Sequence, residues 1–157
     1  MGQAERGGDP STNKLTRDAW VRLLQNAEFT AFATLTFDPK RVFPVSRQRA
    51  ESEFRKFMAS YCHLNRLNPD WLAVVERHQS GIHHLHVGLV GLSLPQVDLL
   101  LDSWRNRNGL TRGDEVYNQS GMLRYLLKGT GSRAHAFWSD GLQRRLKLAR
   151  QSAPADD

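Results

Sequence analysis

The chain has 157 residues, 39% hydrophobic and 24% charged, the balance of one soluble globular domain rather than of a disordered segment. At this length a folded chain hides roughly 70% of the surface its unfolded form exposes, so a core forms without covalent staples. Cys62 is the lone cysteine, which excludes an intrachain disulfide, a four-cysteine zinc site and a Cys-x-x-Cys metal motif. No apolar run approaches the roughly 18 to 20 residues that cross a bilayer. Met1–Asn13 is polar and glycine-rich, without the apolar stretch of a signal peptide. These features predict a cytoplasmic protein with no membrane partner.

Lysine and arginine number 22 against 16 acids, a net charge of +6 and a pI near 10.0. That excess favours a polyanionic partner, most simply nucleic acid. Arginines greatly outnumber lysines, and the planar guanidinium suits phosphate and base edges. A basic surface that serves only solubility fits the charge equally well.

Residues 1–13 and 151–157 lack hydrophobic periodicity and read as flexible tails around a domain at 14–150. A first helix starts near Thr16, with Trp20, Leu23, Leu24 and Ala27 at helical spacing. Residues 30–37 (TAFATLTF) alternate as a strand that Asp38-Pro39 ends. Ser46 caps a long helix to about Arg66, with Phe54, Phe57, Met58, Tyr61, Cys62 and Leu64 on its apolar side. Residues 71–77 (WLAVVER) and 82–91 (IHHLHVGLVG) are strands. Pro95 suits the first turn of a helix carrying Val97, Leu100, Leu101 and Trp104. A short strand at 115–117 follows, then a helix capped by Ser120 through Met122, Tyr125, Leu126 and Lys128, ended by Gly129. A basic helix from Asp140 to about Arg150 closes the chain. The inner elements spell β-α-β-β-α-β, the α+β pattern of a ferredoxin-like or RRM-like fold: one antiparallel sheet with helices on one face, plus a further helix bearing Tyr125.

The two central strands carry the chemistry. With Gln79-Ser80-Gly81 as a three-residue hairpin loop and Gly81 in its left-handed position, His78 faces Ile82 and Glu76 faces His84. Side chains alternate along a strand, so Glu76, His84 and His86 project from one face while Leu85, Val87 and Leu89 point into the core. Two imidazoles and a carboxylate suit a divalent metal such as zinc, manganese, iron or a magnesium-like ion. The same spacing also suits histidines that merely hydrogen-bond on a half-exposed sheet. His83 falls on the opposite face, where a structural role is expected. His78 shares the right face, and there too the plain structural reading is preferred over a fourth ligand. Tyrosine is among the side chains that form covalent intermediates, and Lys128 lies three residues beyond Tyr125 on the same helical side. Tyr-x-x-Lys spacing alone is equally that of an ordinary packed tyrosine.

Taken in chain order, FATLTF (32–37), Glu76 followed by GIHHLHVGLV (81–90), and RYLLKG (124–129) resemble the three motifs of HUH endonucleases, specifically the single-tyrosine rolling-circle replication initiator (Rep) proteins. The resemblance spans about residues 30–130. It implies that His84 and His86, with Glu76, bind Mn²⁺ or Mg²⁺, that Tyr125 attacks a scissile phosphate in single-stranded DNA, and that Lys128 positions the metal or phosphate. The implied products are a 5′-phosphotyrosine link and a free 3′-hydroxyl. The implied partner is single-stranded DNA at a replication origin of a plasmid or phage, at a hairpin or nick site. Arg47, Arg49, Arg112 and Arg124 are candidate DNA contacts, with salt-sensitive binding expected. Arg144, Arg145 and Arg150 form either a DNA arm or a solvated face. No GxxxxGK[ST] loop is present, so unwinding would fall to a separate helicase or to supercoiling. Insertion-sequence transposases of the same superfamily also carry a late tyrosine, but a glutamine usually follows it where Lys128 stands here. Other readings are a non-catalytic RRM-like module, which would lack the usual stacking aromatics, and a water-activating metal hydrolase.

Overall fold

The computed structural model describes residues 14–41, 46–128 and 134–152, with the side chains of 14–16 and 149–152 excepted. Five helices and five strands follow in the order α1 (Lys14–Gln25), β1 (Ala31–Thr36), α2 (Arg47–Asn65), β2 (Asp70–Arg77), β3 (His83–Val90), α3 (Leu94–Arg107), β4 (Thr111–Glu115), α4 (Gln119–Leu127), β5 (Ala134–Trp138) and α5 (Asp140–Ser152). The strands form one sheet in the order β4-β1-β3-β2-β5, and all four pairings are antiparallel. The first four strands are therefore arranged as a ferredoxin-like unit permits, and β5 extends it beyond β2.

Alternation along the strands builds two cores. On one face Ala31, Ala33, Leu35, Trp71, Ala73, Val75, Leu85, Val87 and Leu89 pack against Phe54, Phe57 and Tyr61 of α2 and against Val97, Leu100 and Trp104 of α3. Trp104 is fully buried, and its indole N–H donates to the Thr36 carbonyl at 2.9 Å, so the one polar atom of that ring is satisfied. On the other face Leu72, Val74, Val90, Ala134 and Ala136 meet Trp20, Val21 and Leu24 of α1, Leu123, Leu126 and Leu127 of α4, and Leu142 and Leu146 of α5. Helices thus cover both faces, which corrects the expectation of helices on one face only. The reason is sequence-local: α1, α4 and α5 each carry an apolar stripe, and the first face is already filled by α2 and α3.

The helix ends follow their caps. Ser46 accepts from the Arg49 N–H at 3.1 Å at the start of α2. Ser93 and Gln96 form a capping box at α3, with proline in its first turn. Asn118, rather than Ser120, caps α4 by accepting from the Gly121 N–H at 2.9 Å. The Gly129 stop lies outside the described residues, as do the tails at 1–13 and 153–157, whereas α5 runs to Ser152, past the expected boundary. The fourth strand sits at Thr111–Glu115 instead of 115–117. Its sequence TRGDE shows no apolar alternation because it is an exposed edge strand. β5, short and placed at the opposite edge, was not anticipated. No helix among the described residues is long and apolar enough to cross a membrane.

Gly88 on β3 leaves room for the Phe29 ring, which is 2% exposed. A Cβ there would stand 2.8 Å from a carbon of that ring. Gly88→Ala should therefore cost about 1–3 kcal/mol through overpacking, read as a lower urea midpoint. An unchanged midpoint would show that Phe29 is free to move aside.

Candidate active site

The second face of the sheet is covered by helices at one end and carries a polar cluster at the other. The β2–β3 ladder sets Glu76 opposite His84, and the β1–β3 ladder sets Thr34 opposite His86 and Thr36 opposite His84. The hairpin turns as expected: Gly81 adopts φ +86°, and the His78 N–H donates to the Ile82 carbonyl at 2.8 Å. One-residue slippage would bury the histidines and expose the leucines, so the core on the far face holds this register.

Three donor atoms converge here. Glu76 Oε2 lies 3.4 Å from His84 Nε2 and 3.3 Å from His86 Nε2, and the two Nε2 atoms are 3.1 Å apart. All lie within 4.8 Å of one another, the only such metal-competent group among the described residues. The Thr34 hydroxyl sits 3.2 Å from His86 Nδ1. When Nδ1 carries the proton it donates to Thr34, and the Nε2 lone pair is left facing the cluster. Burial pushes both histidines below their usual titration range; Glu76 opposes the shift, and neighbouring histidines reinforce it, joined at His86 by the Lys128 charge. Neutral imidazoles beside a carboxylate are the donor set that a Mn²⁺-, Zn²⁺- or Fe²⁺-like ion accepts, so these residues fit a divalent metal.

Tyr125 comes to the same corner from α4. Leu123, Leu126 and Leu127 anchor that helix in the second core, and Gln119 ties its start to Phe29 by accepting from the Phe29 N–H at 2.9 Å. The Tyr125 ring, 48% exposed, stands edge-on to His86 with centroids 5.6 Å apart. Phe32 stacks on His86 at 5.8 Å and meets Tyr125 edge-on at 5.9 Å. Lys128 Nζ lies over the Tyr125 ring, 4.4 Å from its centroid. Beside the ring, Phe32, Val116, Tyr117 and Met122 line an apolar hollow of about 350 Å³.

Of the sequence-derived candidates, Glu76, His84, His86, Tyr125 and Lys128 are brought together. His78 lies next to His84, with ring centroids 5.8 Å apart, and is not part of the three-donor group. His83 is buried and pairs with Arg77 across the ladder. The arginines are dispersed. Arg49 pairs with Glu53 at 2.9 Å, and Arg112 on edge strand β4 lies 3.7 Å from Asp114. Arg124 binds Asp18 of α1 at 2.5 Å, tying α1 to α4. Arg47 lies at the start of α2, on the far side of the sheet. Arg145 is held by Asp70 at 2.6 Å, Arg144 is exposed, and the Arg150 side chain lies outside the described residues. Two residues escaped the sequence reading as parts of the site: Thr34, which strand alternation places on this face, and Phe32 beside it. Thr36 instead exchanges hydrogen bonds with the Leu110 backbone. No family model, curated protein or solved structure matches this chain.

The lowered histidine values give a pH signature. Between the folded values and the ordinary 6.5 the unfolded chain binds more protons, so stability rises with pH there and falls as pH drops below about 6.5. With chelator present, urea midpoints at pH 5.5 and 7.5 should differ more in the parent than in His86→Asn. Equal differences would contradict the desolvation of His86.

Proposed function

We propose that this protein is a metal-dependent enzyme that nicks and rejoins single-stranded DNA through a covalent tyrosine link, of the HUH Rep kind. The observation that carries the reading is the convergence of Glu76, His84 and His86, with donor atoms within 4.8 Å of one another, beside a half-exposed Tyr125 under Lys128. The order of the motifs along the chain supports it, and so does the antiparallel sheet that aligns them.

Glu76, His84 and His86 would hold Mn²⁺ or Mg²⁺, with Thr34 orienting His86. When bound, such an ion polarises a phosphoryl oxygen and offsets the charge that builds during displacement. The Tyr125 oxygen attacks phosphorus, the bond from phosphorus to the 3′-oxygen breaks, and the phenol proton ends on the released 3′-hydroxyl. The product is a 5′-phosphotyrosine diester. One diester replaces another, so the reverse attack reseals the strand without ATP. The Lys128 ammonium, held over the ring, pairs with a non-bridging phosphate oxygen. A single strand is the substrate because the site is a shallow corner of a sheet that stacked duplex cannot enter, whereas unstacked bases find exposed aromatic surface at Tyr117 and Tyr125. A replication origin exposed at a hairpin or nick is the natural target, with unwinding supplied by a separate helicase. A base-stacking module of RRM type is less well supported, because Phe32 is engaged with His86 and Tyr125 and helices cover much of that sheet face.

The test is a denaturing gel of the protein with a pool of labelled single-stranded oligonucleotides, with Mn²⁺ or chelator. A Mn²⁺-dependent adduct should form with the parent and disappear in Tyr125→Phe, while DNA affinity changes less than about threefold, under 1 kcal/mol. An adduct of equal yield in the variant would remove Tyr125 as the nucleophile.

A further inference from the structure

A cationic hollow lies on the other side of the β2–β3 hairpin. It measures about 450 Å³ and is lined by Arg47, Gln48, Arg77, His78, Gln79 and His83, with Val75 at its base. None of its described lining residues is a carboxylate. Among the described residues no ion pair joins Arg47 or Arg77 to a carboxylate, as is also the case for Arg66, Arg107 and Arg144, whereas Arg41, Arg49, Arg55, Arg105, Arg112, Arg124 and Arg145 each lie beside an aspartate or glutamate. What sets Arg47 and Arg77 apart is that they line one hollow together. Like charges left together without counter-charge cost stability, and an anion relieves that cost.

The position of the hollow links it to the proposed active site. Arg77 pairs with His83 in the rung next to Glu76 and His84, so the two rungs send their side chains to opposite faces. His78 borders both places: it lines the hollow, and its ring centroid lies 5.8 Å from that of His84. A single strand held at Glu76, His84 and His86 and continuing around the β2–β3 hairpin meets Arg47 and Arg77 on the far side. Two guanidinium forks with amide donors from Gln48 and Gln79 suit a phosphodiester oxygen pair.

We infer that this hollow anchors a backbone phosphate of the same DNA strand, away from the scissile phosphate. The inference rests on the proposed nicking reaction for its substrate class. Binding there is independent of base sequence, fixes the path of the strand around the hairpin, and makes Arg47 and Arg77 positioning residues.

The experiment uses the full chain with Tyr125→Phe, to block chemistry, and a mixed-sequence labelled single-stranded oligonucleotide titrated across a range of NaCl concentrations. Adding Arg47→Gln and Arg77→Gln should reduce the salt slope of log K by about 0.7, the value for one single-strand phosphate contact. Arg47→Lys with Arg77→Lys should retain the slope, and so should Lys56→Gln on the exposed side of α2. Both arginines are exposed, and an unchanged melting midpoint confirms that the fold is kept. An unchanged slope in the double Gln variant overturns the inference. So does a midpoint rise with inorganic phosphate that the double Gln variant loses while its DNA slope stays the same, which assigns the hollow to a free anion. The adduct gel separates the two ideas. An adduct with an unchanged slope rejects the anchor alone; a reduced slope without any adduct rejects the nicking reaction and keeps the anchor. A parent chain that fails to bind DNA rejects both.

Discussion

The register between β2 and β3 is the constraint on which the rest of the molecule depends. A period of two sends Leu85, Val87 and Leu89 into the α2–α3 core and sets His84 and His86 on the other face, opposite Glu76. Burial of those three side chains, each roughly 1.5–3 kcal/mol, is what keeps two imidazoles and a carboxylate together without strong attraction among themselves. The polar site is therefore held by the apolar core behind it.

The helices on the second face complete the corner. The sheet face that carries Glu76, His84 and His86 also carries Leu72, Val74 and Ala136, and α1, α4 and α5 close over that apolar part. The boundary between covered and open sheet falls at His86, where Phe32 and Tyr125 pack. Partial cover dehydrates the imidazoles and favours their neutral form, the form the proposed metal ligation needs, while Tyr125 stays half exposed. One arrangement of helices thus sets both the protonation of the two imidazoles and the exposure of the tyrosine.

Much of this was legible in the chain, and the failures have physical causes. The hairpin was legible because Gly81 marks the loop and His84-Leu85-His86-Val87 alternates beyond it, so the pairing of Glu76 with His84 followed from counting. The α2 cap was legible because Ser46 is a strong local signal, and the start of α3 because Pro95 suits its first turn, although the capping box of Ser93 with Gln96 went unread. The edge strands were not: β4 reads TRGDE and is solvated, and β5 is five residues that gain their strand character only by pairing with β2. The covering of the second face was missed for a related reason, since an amphipathic helix does not state which sheet face it packs on. The arginines were the least legible, because their placement depends on which carboxylates the fold brings near: Arg124 meets Asp18 from another helix, while Arg47 meets none among the described residues.

The central claim is that Glu76, His84 and His86 form a metal centre beside Tyr125. It is tested most directly by anomalous diffraction from crystals grown with Mn²⁺. The account predicts one strong manganese peak bounded by Glu76 Oε2, His84 Nε2 and His86 Nε2. A crystal saturated with Mn²⁺ that shows no peak there, with the two imidazoles still hydrogen-bonded to each other, would contradict it.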